Sequence, residues 1–285
     1  MKVSKLDGYN DVTVVEINKS EIDKVDFALC KQPKETLSQY YNRQDVKPDF
    51  LMNGGFFVMS SGDTIFNLID EKKTISSSTY YKEGIGITDD DKLIFGTYDS
   101  KDWRDFINAY PPLIVDGKKV AITYAKDIDY KARRSVLAYN NDKIFLVAVE
   151  GQGMGFAELQ TALMKIGCTY AINLDGGGST KILQNGKSIT SVLHNRAIDN
   201  VVAVYLKKAN AVIHRVQAGA FTNKNYAIAF RDKIRSLGGD YAGAYIRLID
   251  GKYKVQVGAF SKVDNAKNFE KGLKTLGIDC YITTI

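Results

Sequence analysis

The chain is poor in the residues that build metal centres and disulfide frameworks. It has three cysteines, Cys30, Cys168 and Cys280, in 285 residues. They are odd in number, far apart and never in a CxxC pair, which supports neither a disulfide lattice nor a zinc site. Three buried thiols are expected instead. Histidine occurs only at His194 and His214, which argues against a multi-histidine metal centre and leaves a Ser–His–Asp hydrolase short of candidates. With four prolines and no long polar tract, large disordered regions are not expected. No apolar run approaches the roughly 18 residues that span a bilayer. The start, MKVSKLDGYNDVTVVEIN, has no apolar h-region and no small-residue cleavage site. A soluble chain with no visible export signal is expected, cytoplasmic until released or virion-associated.

What is present is ordinary globular composition, 45% hydrophobic and 25% charged, enough for one or two domains with their own cores. The net charge of +6 is uneven. Residues 1–210 balance 27 Lys+Arg against 27 Asp+Glu, whereas 211–285 hold 12 against 6. Two modules follow from this, the second basic enough to concentrate polyanions. The expected boundaries are 1–208 and 211–285, joined by the short LKKANA segment.

An internal repeat marks the second module. Residues 216–246 align without a gap on 255–285, with 11 of 31 positions identical and VQAGAF matching VQVGAF. Each copy alternates as a strand, then carries a helical stripe (Ala227, Phe230, Ile234, Leu237 and Ala266, Phe269, Leu273, Leu276), closed by Gly238 or Gly277. Two such units predict a ferredoxin-like βαββαβ sheet with helices on one face and the other face open. The segment resembles a SPOR domain, a family that binds peptidoglycan glycan strands stripped of their stem peptides. The resemblance implies a contact surface on the open sheet face around Gln217 and Gln256, with Arg215, Tyr245, Arg247, Tyr253 and Lys254. Amides there would bridge sugar hydroxyls and rings would stack on pyranoses.

Residues 1–208 read as α+β: many short strands, few helices and a mixed sheet rather than alternating βαβ units. Strands are predicted at 12–17, 25–30, 50–55, 83–88, 135–139, 143–150, 171–174 and 201–206, with a hairpin turn at Asn140-Asn141-Asp142. Helices are predicted after Gly155, closed by Gly167, and over Pro33–Gln44. Three glycine clusters read as turns: MNGGFF (52–57), GQGMG (151–155) and LDGGGST (174–180). The last follows a short apolar strand, so Asp175 stands at a sheet rim beside backbone that can approach a ligand closely. GQGMG lacks the P-loop lysine and the dinucleotide spacing. Five arginines stand against 22 lysines in residues 1–210. Arg134 and Arg196, at the starts of apolar strands, are therefore candidates for gripping carboxylate or phosphate.

In this order, the NGG-aromatic motif at Asn53–Phe56, PPLIVDGK (111–118), Arg134–Ser135, the helix GFAELQTALMKIG, NLDGGGST (173–180) and R-x-I-x-N (196–200) resemble the phosphodiester glycosidase family. The founding activity of that family removes N-acetylglucosamine from a sugar phosphodiester. Glu150 and Gln152 depart from the residues expected there. The first 45 residues match nothing in the family.

Because the leaving phosphate monoester is a weak base, such a site needs charge stabilisation more than a strong general acid. The resemblance then implies Asp175 as the carboxylate acting at the sugar carbon, Glu150 as a second carboxylate, and Asn53 with Ser179 orienting sugar or water. Gly54 and Gly55 line the substrate, and Arg134, Arg196 and the Gly176, Gly177 and Gly178 amides hold phosphate. No cofactor is required, with a divalent cation near Asp175 left open. Together the modules imply an envelope hydrolase that cuts a sugar-1-phosphodiester in or on peptidoglycan, of the type joining teichoic acid to the wall, and encoded by a phage or prophage. Neither a nucleic-acid nor a membrane partner is expected. The competing readings are a non-catalytic glycan-binding wall protein and an esterase with Ser179 or Ser135 activated by His194.

Overall fold

The computed structural model describes residues 1–122, 128–191, 195–208 and 213–284. His194 lies outside the described residues. The chain divides into two compact units, Met1–Lys207 and Lys208–Ile285, and each is described by itself.

The first unit holds three antiparallel sheets. A seven-stranded sheet runs in the spatial order Lys2–Leu6, Tyr9–Asn18, Lys143–Met154, Ala132–Tyr139, Tyr170–Asn173, Pro112–Val115 and Lys118–Lys119. A five-stranded sheet runs Lys187–Ser188, Ile182–Gln184, Phe50–Asn53, Asn200–Leu206 and Ile22–Leu29. A second five-stranded sheet is built from Lys73–Ser76, Leu68–Asp70, Asp105–Ile107, Glu83–Ile87 and Leu93–Thr97. The mixed α+β class holds. The first 29 residues, unplaced by motif, supply outer strands of the seven-stranded sheet and of the first five-stranded sheet.

Period-two patterning decides what each strand faces. Val15 and Ile17, Leu137 and Tyr139, and Leu146 and Ala148 turn inward onto a core shared with Phe27, Met52, Ile85 and Val202. Val12 and Val14, Val136, and Val147 and Val149 turn the other way, onto helix α2 (Phe156–Lys165). Phe156, Leu159 and Leu163 are fully buried there, each worth about 1.5–3 kcal/mol. Gly155 offers no side-chain cap, and Asp129 Oδ1 accepts from Phe156 N instead (3.0 Å). Gly167, at φ +70°, ends the helix region in the left-handed conformation.

Two local expectations are corrected. Helix α1 covers only Leu37–Arg43, because Thr36 caps it in a reciprocal capping box with Gln39. GQGMG is not a turn: the strand continues to Met154 through a register shift opposite Ala132 and Arg134. A Cβ on Gly153 would lie 2.1 Å from the Ala132 carbonyl carbon, so the strand pair closes only over glycine.

The second unit carries strands His214–Phe221, Tyr245–Ile249, Lys252–Phe260 and Tyr281–Thr284 with helices α3 (Lys224–Arg235) and α4 (Val263–Thr275). The spatial order, 245–249, 252–260, 214–221, 281–284, is that of the ferredoxin-like sheet. The gapless repeat holds only as far as Gly238 and Gly277. Gln217 pairs with Tyr281 and Gln256 with Tyr245, so the structural offset drops from 39 to 36. The first copy has three extra residues in the loop after its helix, and the Asp240/Asp279 identity has no structural counterpart.

Candidate active site

The site is assembled where the strand ends at Asn53, Asn173 and Asn200 meet. Asn53 is fully buried. Its Nδ2 donates to the Asp175 carbonyl (2.6 Å), while Oδ1 accepts from Ser135 Oγ (2.7 Å) and Lys181 N (3.2 Å). Asp175 N in turn donates to Gly54 O (3.0 Å), and Gly54 N to Asn200 O (2.9 Å). Gly55 N donates to Asn200 Oδ1 (2.6 Å). A Cβ on Gly54 would stand 1.9 Å from that same Oδ1, so the glycine is required for Asn200 to approach. Asn53, Gly54, Gly55, Asp175 and the turn after it are thus brought together.

The turn Gly177–Ser179 is a short 3-10 helix, with Gly177 at φ +58°. The exposed Arg196 guanidinium lies over Gly178, where a Cβ would meet it at 2.7 Å. Burial pushes the Asp175 carboxyl above its ordinary value, against the opposing pull of Ser179, the Gly176 amide and the Arg196 charge. Ser179 Oγ and Thr180 Oγ1 are buried and make no hydrogen bond of ordinary geometry, although the Ser179 hydroxyl is near enough to influence Asp175.

Four expected roles are revised. Asn53 has both its amide oxygen and its amide nitrogen engaged by protein, so it positions strands rather than sugar or water. The Gly176 amide is occupied by Asp175 Oδ1 (2.9 Å). Glu150 is buried and accepts on both oxygens, from Lys5 Nζ (2.6 Å), Thr13 Oγ1, and Ser191 N and Oγ. Burial would raise its pKa, but these donors outweigh it and hold the carboxyl below its ordinary value. A carboxylate with four donors ties strands together and is a poor proton carrier. Arg134 is buried, donating to the carbonyls of Ile128, Tyr130 (2.7 Å) and Met154 (3.4 Å), with its guanidinium 4.2 Å from the Phe156 ring centroid. It braces the α2 side of the sheet and does not hold phosphate.

Two residues passed over in the sequence stand beside the Asp175 turn. Asp199 is fully buried; its Oδ2 accepts from Thr64 Oγ1 (2.5 Å) and Oδ1 from Asn200 Nδ2 (2.7 Å). Burial, with the Asp175 charge adding to it, pushes the Asp199 carboxyl up to about 6. Arg133 is half-buried, one residue from Arg134 and so on the opposite strand face, shared with Ser135. Its carbonyl borders Gly176. The signal was the RR pair itself: on a strand only one of two neighbours can turn toward Ser135. Four half-buried rings also run in edge-to-face contact from Phe56 through Phe66 and Tyr81 to Tyr110 (6.0, 6.3 and 5.1 Å). Among the described residues no group of three or more His, Cys, Asp or Glu could hold a metal ion.

On the second unit, the sheet face away from the helices carries Arg215, Gln217, Tyr245, Arg247, Lys254, Gln256 and Tyr281. The two glutamines are on this face but buried. Gln217 Nε2 donates to Tyr281 Oη, and Arg215 Nη1 donates to Gln256 Oε1 and Tyr245 Oη (both 3.1 Å). The amides therefore lie beneath rings and a guanidinium. Tyr253 is corrected outright. It shares parity with Val255 and Val257 and packs into the core under the helices.

The model of the phosphodiester glycosidase family matches residues 47–205, and that of the SPOR domain matches 211–284. The human N-acetylglucosamine-1-phosphodiester alpha-N-acetylglucosaminidase is 25% identical over 176 residues, 52% of this chain and 34% of its own length. The chain thus spans about a third of the curated relatives it matches. The catalytic domain of the zebrafish enzyme of the same name, auto-inhibited by its pro-peptide, superposes with a TM-score of 0.57 at 19% identity. That match covers 72% of this chain and 87% of the other. A hypothetical protein from Synechocystis reaches 0.61 at 16% identity, covering 69% and 59%. With more than half of its length matched, the chain belongs to the phosphodiester glycosidase family, and a SPOR domain follows the family domain.

Proposed function

We propose that the first unit hydrolyses a sugar-1-phosphodiester, of the N-acetylglucosamine-1-phosphate type, on the bacterial cell wall, and that the SPOR domain holds it on peptidoglycan glycan strands. The observation that carries this reading is the juxtaposition of a half-buried carboxylate with raised pKa, Asp175, and an arginine lying over Gly178 in the turn that follows it.

In this scheme Asp175 acts at the sugar carbon, as nucleophile or as base toward water. Arg196 and Arg133 draw the phosphate, whose leaving oxygen needs little protonation. Asp199, at about 6, is poised to carry a proton near neutral pH. The Phe56–Tyr110 row supplies apolar faces suited to a pyranose. No cofactor enters the scheme. The linkage between teichoic acid and muramic acid is a phosphodiester of this kind, which makes teichoic-acid-bearing walls the substrate to test.

Purified protein incubated with such walls is expected to release phosphate-containing polymer and reducing sugar ends. Asp175→Asn should keep wall binding and abolish release. Binding by the wild type without release would make the chain a wall lectin and overturn the reading.

A further inference from the structure

We infer that the α3 side of the SPOR domain, away from its sheet face, is a docking seat for an aromatic side chain of a partner polypeptide. The inference comes from comparing the two halves of the repeat. In the second half Phe260 packs on Phe269, centroids 5.0 Å apart and tilted 53°. In the first half Phe221 packs on Phe230 in the same way, at 5.4 Å and 53°. Among the described residues only the second pair is covered by a third ring: Tyr241 lies 5.2 Å from Phe269. Its hydroxyl reaches α4 at Gly272, where a Cβ would stand 2.9 Å away.

Tyr241 comes from the three-residue insertion after α3. The corresponding loop after α4, Gly277 to Cys280, is too short to supply a counterpart. The equivalent place on the first half is open: a groove of about 400 Å³ lined by Phe221, Tyr226, Ala229, Phe230 and Lys233. Lys233 occupies the position of Gly272, where the Tyr241 hydroxyl arrives.

The residues around the two seats run against what solvent alone would select. At the covered seat the flanking helix positions are Asn265 and Asn268. At the open seat they are Tyr226, 68% exposed, and Ala229. An uncovered surface with the less polar residues is the pattern of a surface that a partner covers. The chemistry of the occupant is shown by the filled seat: a phenol ring on the phenylalanine pair, its polar end toward α4 at Gly272, the position that Lys233 holds on α3. Lys233 at that end favours a tyrosine with a neighbouring carboxylate.

The test uses the full chain carrying 13C-methyl alanine, since the Ala229 methyl lines the seat. The peptide acetyl-Asp-Tyr-amide should shift that methyl by ring current, saturating at roughly 1–10 mM, as befits one side chain. Ala229→Asn and Tyr226→Asn import the residues of the covered half, so the fold should persist, and each should weaken the peptide about tenfold or more. For Ala229→Asn the reporter is the Ala227 methyl. An unmoved Ala229 methyl, or an equal shift with acetyl-Asp-Leu-amide, overturns the inference. A shift produced by chitotetraose would make the occupant a glycan. A shift produced by raising the protein concentration alone would make it a second copy of this chain. Either result overturns the partner polypeptide.

Discussion

Two carboxylates in the first unit, Glu150 buried and Asp175 half-buried, face opposite electrostatic circumstances. Glu150 receives donors on both oxygens from three separate stretches of chain, and its pKa lies below the ordinary value. Asp175 receives the Gly176 amide and the weaker influence of Ser179 and Arg196, and its pKa lies above. Burial pushes both carboxyls upward. The difference is the supply of donors, and it separates a carboxylate that fastens strands from one left able to react.

The largest effect should come from breaking the reactive member. Asp175→Asn is expected to lower kcat by about a thousandfold or more, with an unchanged or raised melting temperature because a desolvated charge is removed. Glu150→Gln should do the reverse. With Lys5, Thr13 and Ser191 losing a charged acceptor, denaturant titration should show a loss of about 2–4 kcal/mol. Because the Glu150 pKa is lowered, its stabilisation is present above the unfolded pKa and disappears as pH falls below about 4.5.

Asp199 sharpens the comparison through pH. Its folded pKa, about 6, lies above the unfolded value, so the native state holds a proton that the unfolded chain releases near pH 4. Stability from this group is therefore fully present below about pH 4 and falls as pH rises to 6, by about 1–3 kcal/mol. Asp199→Asn should remove that slope and the inflection near pH 6 in the rate profile. Asp26, also raised to about 6 by burial, should leave a second slope untouched. The smallest effect is expected for Arg196→Lys against Arg134→Lys. The first should raise KM about tenfold with little change in unfolding. The second should lower stability by about 1–2 kcal/mol and leave KM near wild type. Equal effects on KM would return Arg134 to the substrate.

Much of this was legible in the chain. The apolar runs at 12–17 and 201–206 marked strands that the structure extends to Tyr9–Asn18 and Asn200–Leu206, the Phe156, Leu159, Leu163 stripe identified α2, and the VQxGxF repeat identified the second unit. The glycine turn after an apolar strand put Asp175 at a rim, and the fold set Asn53–Gly55 beside it. Other features were hidden because they depend on partners distant in sequence. Asp199 looked like one acidic residue in HNRAIDN, and only Thr64 and Asn200 around it, with Asp175 nearby, make it a second carboxylate of the site.

Residue type and period, by themselves, determined which segments become strands and helices, because alternation and the 3.6-residue stripe are local properties of the chain. They also determined where glycine lets backbone approach backbone. Which of two adjacent arginines faces the site, and whether Glu150 fastens or reacts, was decided only by the fold. So was the burial of Gln217 and Gln256 under Tyr281, Tyr245 and Arg215. The donors to Glu150 and Gln256 come from residues 41 to 145 positions away in the chain, and a linear pattern carries no record of them.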